Sequence, residues 1–363
     1  MEQARGLAIR RFLSFISFGA HSRLSRISSS PETEDHLDMW AYILRRIIYA
    51  LPILIGVNII TFALFFLINS PDQMAQAQLG IKHISPEAVR QWKEQRGYHL
   101  PLFVNKELSG SEAMTETIFF QKSAKLFTFE FGKSDEGRLI GEEIKKRMWP
   151  SLAVALPVFA IGLAVNISLA LLVVMFRASM FELIAMIFCV GMFSISSMFY
   201  IIGGQFLAGK LWHLVPVSGY LPGVAAVKFL ILPIAIGVIT GIGGGVRIYR
   251  IIFLEEANRD YIRTARAKGV SEFSILFKHM LPNGLIPILT GIVVVIPVLF
   301  LGSLVTESFF GIPGLGSFTI DGIRAQDFSI VRTMVFLSSV LYIIGLLLTD
   351  ISYTLVDPRV RLQ

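Results

Sequence analysis

The feature that most constrains this chain is where its charges are missing. Six stretches contain no Asp, Glu, Lys or Arg: 47–70, 151–176, 183–209, 229–246, 282–306 and 333–349. A helix needs about 20 mostly apolar residues to cross the hydrocarbon core of a bilayer. Inside lipid every backbone polar group must be bonded within the segment, and a helix meets that demand. The pattern therefore predicts an all-α polytopic membrane protein with six transmembrane helices. Composition agrees, since only 16% of the residues are charged, against about 25% in soluble domains. A soluble fold would need a polar shell that this chain cannot build.

Loop charge sets the orientation. With six spans both termini lie on one side, and 17 Lys/Arg fall in the segments of that side against four in the short loops opposite. The long 71–150 segment carries 12 more, but long loops translocate regardless of charge. Both termini are thus expected in the cytoplasm. The net charge of +7 reflects this asymmetry. No basic run is interleaved with stacking aromatics, so nucleic acid is not an expected partner; the lipid bilayer is.

Four regions follow. Residues 1–38 read as a cytoplasmic extension without fixed structure, basic first and acidic from Glu32 to Asp38. They lack a signal-peptide core and cleavage site, and Met39 reads as a natural start. Residues 39–70 form a lead and the first span. Residues 71–150 form an extracytoplasmic loop with short helices; one starts at Ser85-Pro86-Glu87 and stops at Gly97, by capping chemistry. Residues 151–363 form a five-helix core that includes a cytoplasmic loop at 247–281. The one cysteine, Cys189, excludes an internal disulfide. His99 has no metal-ligand cluster around it. GQFLAGK at 204–210 fits a phosphate-loop spacing, but Leu211 replaces the Ser or Thr that would hold magnesium. No ATP, cofactor or metal is expected on this chain, and no catalytic residue.

The 255–287 stretch, EEANRDYIRTARAKGVSEFSILFKHMLPNGLIP, reads as two short helices broken at Gly269. The second opens at Ser271, an N-cap residue, and Phe273, Leu276, Phe277 and Met280 recur at helical spacing, which predicts one apolar face. Arg259, Arg263, Arg266, Lys268 and Lys278 flank it. Such a unit either docks in a groove on a soluble partner or lies on the headgroups.

This stretch resembles the EAA loop of ABC-transporter permeases. Anchored on Gly269, the family's Glu-Ala-Ala falls on Arg263, Thr264 and Ala265, and its Ile-x-Leu-Pro on His279, Met280, Leu281 and Pro282. Ala265, Gly269, Leu281 and Pro282 match. RTARAKG with a His ten residues beyond the Gly is similar to the oligopeptide/dipeptide/nickel branch. MWAYILRRIIYALP (39–52), FEFGKS (129–134), LVPVSGY (214–220), ESFFGIPGLG (307–316) and DISYTLVDPR (350–359) carry the resemblance over residues 39–363. The last of these looks closest to the microcin C/oligopeptide-type permeases. The resemblance implies the six-helix type I importer permease fold and the pore subunit of an ATP-driven, binding-protein-dependent importer in a bacterial inner membrane. It also implies a second permease subunit, cytoplasmic ATP-binding subunits that hold ATP and magnesium, and an extracytoplasmic substrate-binding protein. Arg263 to Arg266, Lys268, Gly269, Phe273, Leu276, Phe277 and His279 to Pro282 would form the ATPase-docking loop.

Polar side chains within spans face the bundle interior or a cavity. Asn166, Ser168, Ser194, Ser196 and Ser197 are therefore candidates for lining a path, or for helix–helix hydrogen bonds. Glu307 reads as a boundary carboxylate or an outer-face contact. The glycines at 241 and 243–245 suit either a hinge or close helix packing. The alternative function is a stand-alone ion-coupled carrier, which would need acids or histidines at mid-span; the six stretches have none there. An intramembrane hydrolase would need a Ser/His or Asp/Asp pair at depth, and no span holds a histidine.

Overall fold

The computed structural model describes residues 31–80, 85–106, 108, 110 and 112–356, with side chains from 44 to 352. Contacts divide the chain into a unit of residues 1–48 with 361–363 and a unit of 49–360. In the first, the described residues 31–48 are helical. Helix α1 (Pro31–Ala63) begins ahead of Met39, so the acidic stretch assigned to an unstructured extension is helical; the rest of that extension, 1–30, lies outside the described residues.

Helices α2 (Pro71–Leu79) and α3 (Pro86–Arg96) follow in the outer loop. Ser85 caps α3 and Gly97 ends it at φ +69°, as the capping residues predict. Then come α4 (Ile140–Met175), α5 (Met180–Ser194), α6 (Ser197–Gly204), α7 (Ala226–Ala257), α8 (Asp260–Ala267), α9 (Leu281–Leu299), α10 (Leu304–Phe310), α11 (Leu315–Arg324) and α12 (Phe328–Val356). Five helical stretches are long and apolar enough to cross a membrane: Leu44–Ile68, Ile140–Met175, Gly223–Ala257, Glu272–Leu299 and Phe328–Ser352.

The third expected span departs from a single helix. Met180–Ser194 and Ser197–Leu211 meet at 87°, and the pair makes a sixth span only if counted together. Ile195 and Ser196 are extended at the corner. Two local bonds support the break. Ser194 Oγ donates to the Val190 carbonyl at 2.8 Å, and the Tyr200 hydroxyl donates to the Met192 carbonyl at 3.0 Å. The second bond adds to the Ile195 N–H, which reaches the same Met192 carbonyl at 3.4 Å.

The fifth span is also shifted from 282–306. It starts at Glu272, passes through a π-helical turn at Ile275–Met280 and stops at Leu299. Pro282 has no N–H to give to an i−4 carbonyl, and the wider turn directly precedes it.

Helix α7 packs most extensively against α4 and then α5. It runs unbroken through its glycines. A Cβ on Gly237 would sit 2.8 Å from Val158, and one on Gly243 would sit 2.6 Å from the Cys189 carbonyl. Gly245 faces the Asn166 amide. Gly237, Gly243 and Gly245 let neighbouring helices approach closely.

The 71–150 segment builds its own core without cysteine. Phe62 of α1 and Phe66 of the π turn that follows it pack with Met74, Trp92, Tyr98 and Ile118. Trp92 Nε1 donates to Gln78 Oε1 at 2.7 Å. Asp135 accepts from Arg96 Nε and Gln78 Nε2, both at 2.8 Å, and its own N–H donates to Asp327 Oδ2 at 2.6 Å. This joint ties the loop to the start of α12.

Candidate docking loop and transport cavity

The 247–281 segment is anchored from within. Ile262 and Ala265 of α8, with Ile275, Leu276 and Met280, are buried among Leu171, Val174, Phe253 and Ala257 of α4 and α7. Phe253 lies so close to Gly284 that a Cβ there would sit 2.5 Å from its ring. Helix α8 ends in a glycine cap. The Gly269 N–H donates to the Arg266 carbonyl at 2.9 Å and the Val270 N–H to the Ala265 carbonyl at 3.2 Å, with Gly269 at φ +76°. That conformation is easy only for glycine. Arg266 clasps Glu272 with two bonds, 2.7 and 3.1 Å, across the turn. The bond to Glu272 is the main reason the guanidinium is held above its ordinary pKa.

The single apolar face expected from 273, 276, 277 and 280 does not form. Leu276 and Met280 are 4% and 1% exposed, whereas Phe273 and Phe277 are 67% and 47% exposed. A π turn takes more residues per revolution than 3.6, so the four positions separate onto two sides. The inward pair fixes the loop. The outward rings pack against each other, centroids 4.5 Å apart and planes tilted by 40°. Arg263, Thr264 and Lys268 are exposed, His279 and Leu281 are half-buried and Pro282 is exposed. Tyr261 donates to Glu256 Oε2 at 2.5 Å. Burial, then that carboxylate, push its phenol up to about 12.

A cavity of about 480 Å³ opens between α4, α6, α7 and the end of α9. Val154, Val158, Phe159, Pro233 and Leu299 form apolar wall, and Ser151, Ser197, Thr240, Ser303 and Thr306 add hydroxyls. Of the four serines and one asparagine singled out by sequence, the cavity gathers only Ser197. Asn166 is buried against Gly245, and Ser168, Ser194 and Ser196 are exposed elsewhere. Ser151 and Thr240 carried no signal beyond being hydroxyls in apolar runs.

Glu307 is neither a snorkelling boundary residue nor an exposed contact. It is 1% exposed at the edge of this cavity. Oε1 accepts the Ser303 N–H at 3.2 Å, and Oε2 accepts the Ser317 N–H at 3.1 Å. The Ser151 hydroxyl also bonds the carboxylate and accepts the Leu315 N–H at 2.8 Å. Gly302, at φ +69°, and Gly314 leave room for the carboxylate; a Cβ on either would overlap its oxygens. Burial lifts the Glu307 pKa above the ordinary carboxylate value, and the hydrogen bonds oppose that lift. The GIPGLG segment is thus folded around one buried acid. Nearby, the Gly219 N–H donates to the Phe310 carbonyl at 2.7 Å, and Gln205 Nε2 donates to the carbonyls of Val217 and Phe309, both at 3.0 Å. Two motifs ninety residues apart, 214–220 and 307–316, become one structure.

The family of binding-protein-dependent transport system inner membrane components matches residues 147–362, which hold both the docking loop and the cavity. A provisionally named peptide transport system permease protein of Brucella abortus (strain 2308) is 33% identical over 329 residues, 89% of this chain and 99% of that protein. The dipeptide transport system permease protein of Escherichia coli K12 is 28% identical, over 89% of this chain and 99% of its own length. The family match covers more than half of the residues, and it falls on the elements that the geometry had already set apart: this chain belongs to the binding-protein-dependent transport system inner membrane component family.

Proposed function

We propose that the chain is a pore-forming subunit of an ATP-driven importer for oligopeptides or similar solutes. The observation that carries this reading is the division of labour at 263–282. One side of that loop is locked into the core, and the other exposes a packed Phe273–Phe277 pair on a segment that also exposes Arg263 and Lys268. A rigid aromatic knob on an anchored base transmits force, because it cannot slide without moving α4, α7 and α9. ATP-binding subunits would hold ATP and magnesium and draw two such loops together, one from this chain and one from a second, homologous permease. That motion biases the cavity toward one side of the membrane. The loop side and both termini would be cytoplasmic, and an extracytoplasmic binding protein would deliver substrate to the outer face.

The peptide assignment rests on the relatives' names and on the cavity's chemistry. An apolar wall with scattered hydroxyls and one buried acid suits a solute whose backbone is constant and whose side chains vary. The test is co-expression with candidate ATP-binding subunits and a binding protein, followed by uptake of a labelled tripeptide into vesicles. ATP-dependent uptake that F273S/F277S abolishes supports the reading. Uptake driven by a proton gradient without ATP would favour the stand-alone carrier.

A further inference from the structure

Arg332 lies in the first turns of α12 and is 3% exposed. Its Nε and Nη1 reach no acceptor among the described residues. The guanidinium stands 5.8 Å from the centre of the Phe66 ring. Asp327 is close enough to interact with it electrostatically. Both oxygens of that acid are already engaged: Oδ1 accepts the N–H groups of Ser329 and Ile330 at 3.1 Å, and Oδ2 accepts the Asp135 N–H. Asp135 in turn is held by Arg96 and Gln78. A second cation adds to the imbalance. Lys122 lies 5.4 Å from the Tyr98 ring, and burial, then the charge of Arg332, hold it below the ordinary lysine range. On the same outer-loop segment, Ser123 Oγ is buried without a partner, and so is Oδ1 of Asn58, whose amide donates to the Ser123 carbonyl.

Arg332 and Asp327 are buried, Lys122, Arg96 and Asp135 are partly exposed, and the five together carry one net positive charge. An unpaired buried guanidinium is strongly unfavourable unless a counter-charge and hydrogen-bond acceptors reach it. We propose that Arg332 and Lys122 hold a small inorganic anion of chloride size between the outer loop and α12. The near-complete burial of Arg332 excludes a peptide carboxylate or a phosphate ester. A halide takes N–H donors from any direction and suits two cations arriving from different elements. The bound ion would fasten segment 118–128 to α12 beside the Asp135–Asp327 joint.

The full chain, purified in detergent, is melted in sodium chloride, sodium bromide and sodium gluconate at equal ionic strength. The expected result is a Tm that rises saturably with chloride or bromide and not with gluconate. In R332M the halide response disappears, and in K122Q the half-saturating concentration rises about tenfold, as for one lost charge-assisted bond. Bromide should give an anomalous scattering peak beside Arg332. If R332M does not fold, the wild-type titration and K122Q still decide. Equal melting in halide and gluconate, or a full halide response in K122Q, would overturn the proposal and leave the guanidinium satisfied by water.

Discussion

Glu307 Oε2 accepts the backbone N–H of Ser317 at 3.1 Å, across ten residues of a glycine-rich loop. The same carboxylate takes the Ser303 N–H on its other oxygen. One side chain thereby fixes both ends of the segment that edges the cavity. E307Q keeps the shape but offers a single acceptor and turns an NH2 group toward a backbone donor. It should lower stability by about 1–3 kcal/mol, the cost of leaving a buried donor unmet. A thermal melt of the purified variant checks this, and an unchanged Tm would show the loop is held by other contacts.

The same acid sets a pH dependence. Its folded pKa is raised, by burial first, so the folded state holds the proton more tightly than the unfolded state does. Stability contributed by the protonated acid is complete below the unfolded carboxylate pKa and is lost as pH rises through the raised folded value. The difference in Tm between wild type and E307Q should therefore narrow across that window with rising pH. A difference that widens would mean the hydrogen bonds outweigh burial and that the carboxylate is ionised at rest.

Two glycines separate space from conformation. Gly302 and Gly269 both have positive φ, +69° and +76°. Around Gly269 a Cβ meets nothing within 4 Å, while at Gly302 it overlaps Glu307. G269A should cost about 1 kcal/mol of left-handed strain. G302A should cost clearly more and release the Glu307 loop. G269P cannot adopt φ +76° and loses the N–H given to Arg266, so transport should fail while membrane insertion persists. Equal melting of G269A and G302A would contradict the distinction.

The two faces of the docking loop should respond oppositely. F273S and F277S remove exposed rings, so Tm should move by no more than about 0.5 kcal/mol equivalent. Affinity for the ATP-binding subunit should fall by about 2 kcal/mol per ring if each is a hot spot. M280A empties a fully buried site and should cost about 2–5 kcal/mol of stability. Binding measured on folded protein by calorimetry keeps the two effects apart; undiminished affinity in F273S/F277S would remove the docking role.

At the corner of the third span, Y200F deletes the donor to the Met192 carbonyl. The carbonyl keeps its bond from the Ile195 N–H at 3.4 Å, so losing this one hydrogen bond should cost about 0.5–1.5 kcal/mol. An unchanged melt would mean that water already serves the corner.

Much of this was legible along the chain. Charge-free runs marked the spans because lipid forbids unpaired backbone, and this rule acts on composition alone. Ser85 and Gly97 marked their helix because caps act within a few residues. Ala265, Gly269, Leu281 and Pro282 carried the resemblance by which this loop is proposed as the docking site. The bend at Ile195–Ser196 was not legible, since that run is as apolar and uncharged as the straight spans. Nor was the split of Phe273 and Phe277 from Leu276 and Met280, which depends on a π turn against Phe253 and Ile262.

The sequence by itself determined that this chain is a helical membrane permease, which side its basic loops should face and where a partner should grip it. The spans and the charge bias are properties of local composition; the permease and the grip are what the resemblance of its motifs implies. Only the tertiary structure decided that Glu307 is a buried keystone, that Ser197 and not Asn166 reaches the cavity, and that Arg332 is enclosed without an acceptor. Each of these depends on which distant backbone donors and side chains converge on one point. That convergence is set by three-dimensional packing of segments far apart in sequence, such as Ser151 beside Leu315 and Asp135 beside Asp327, and no linear pattern records it.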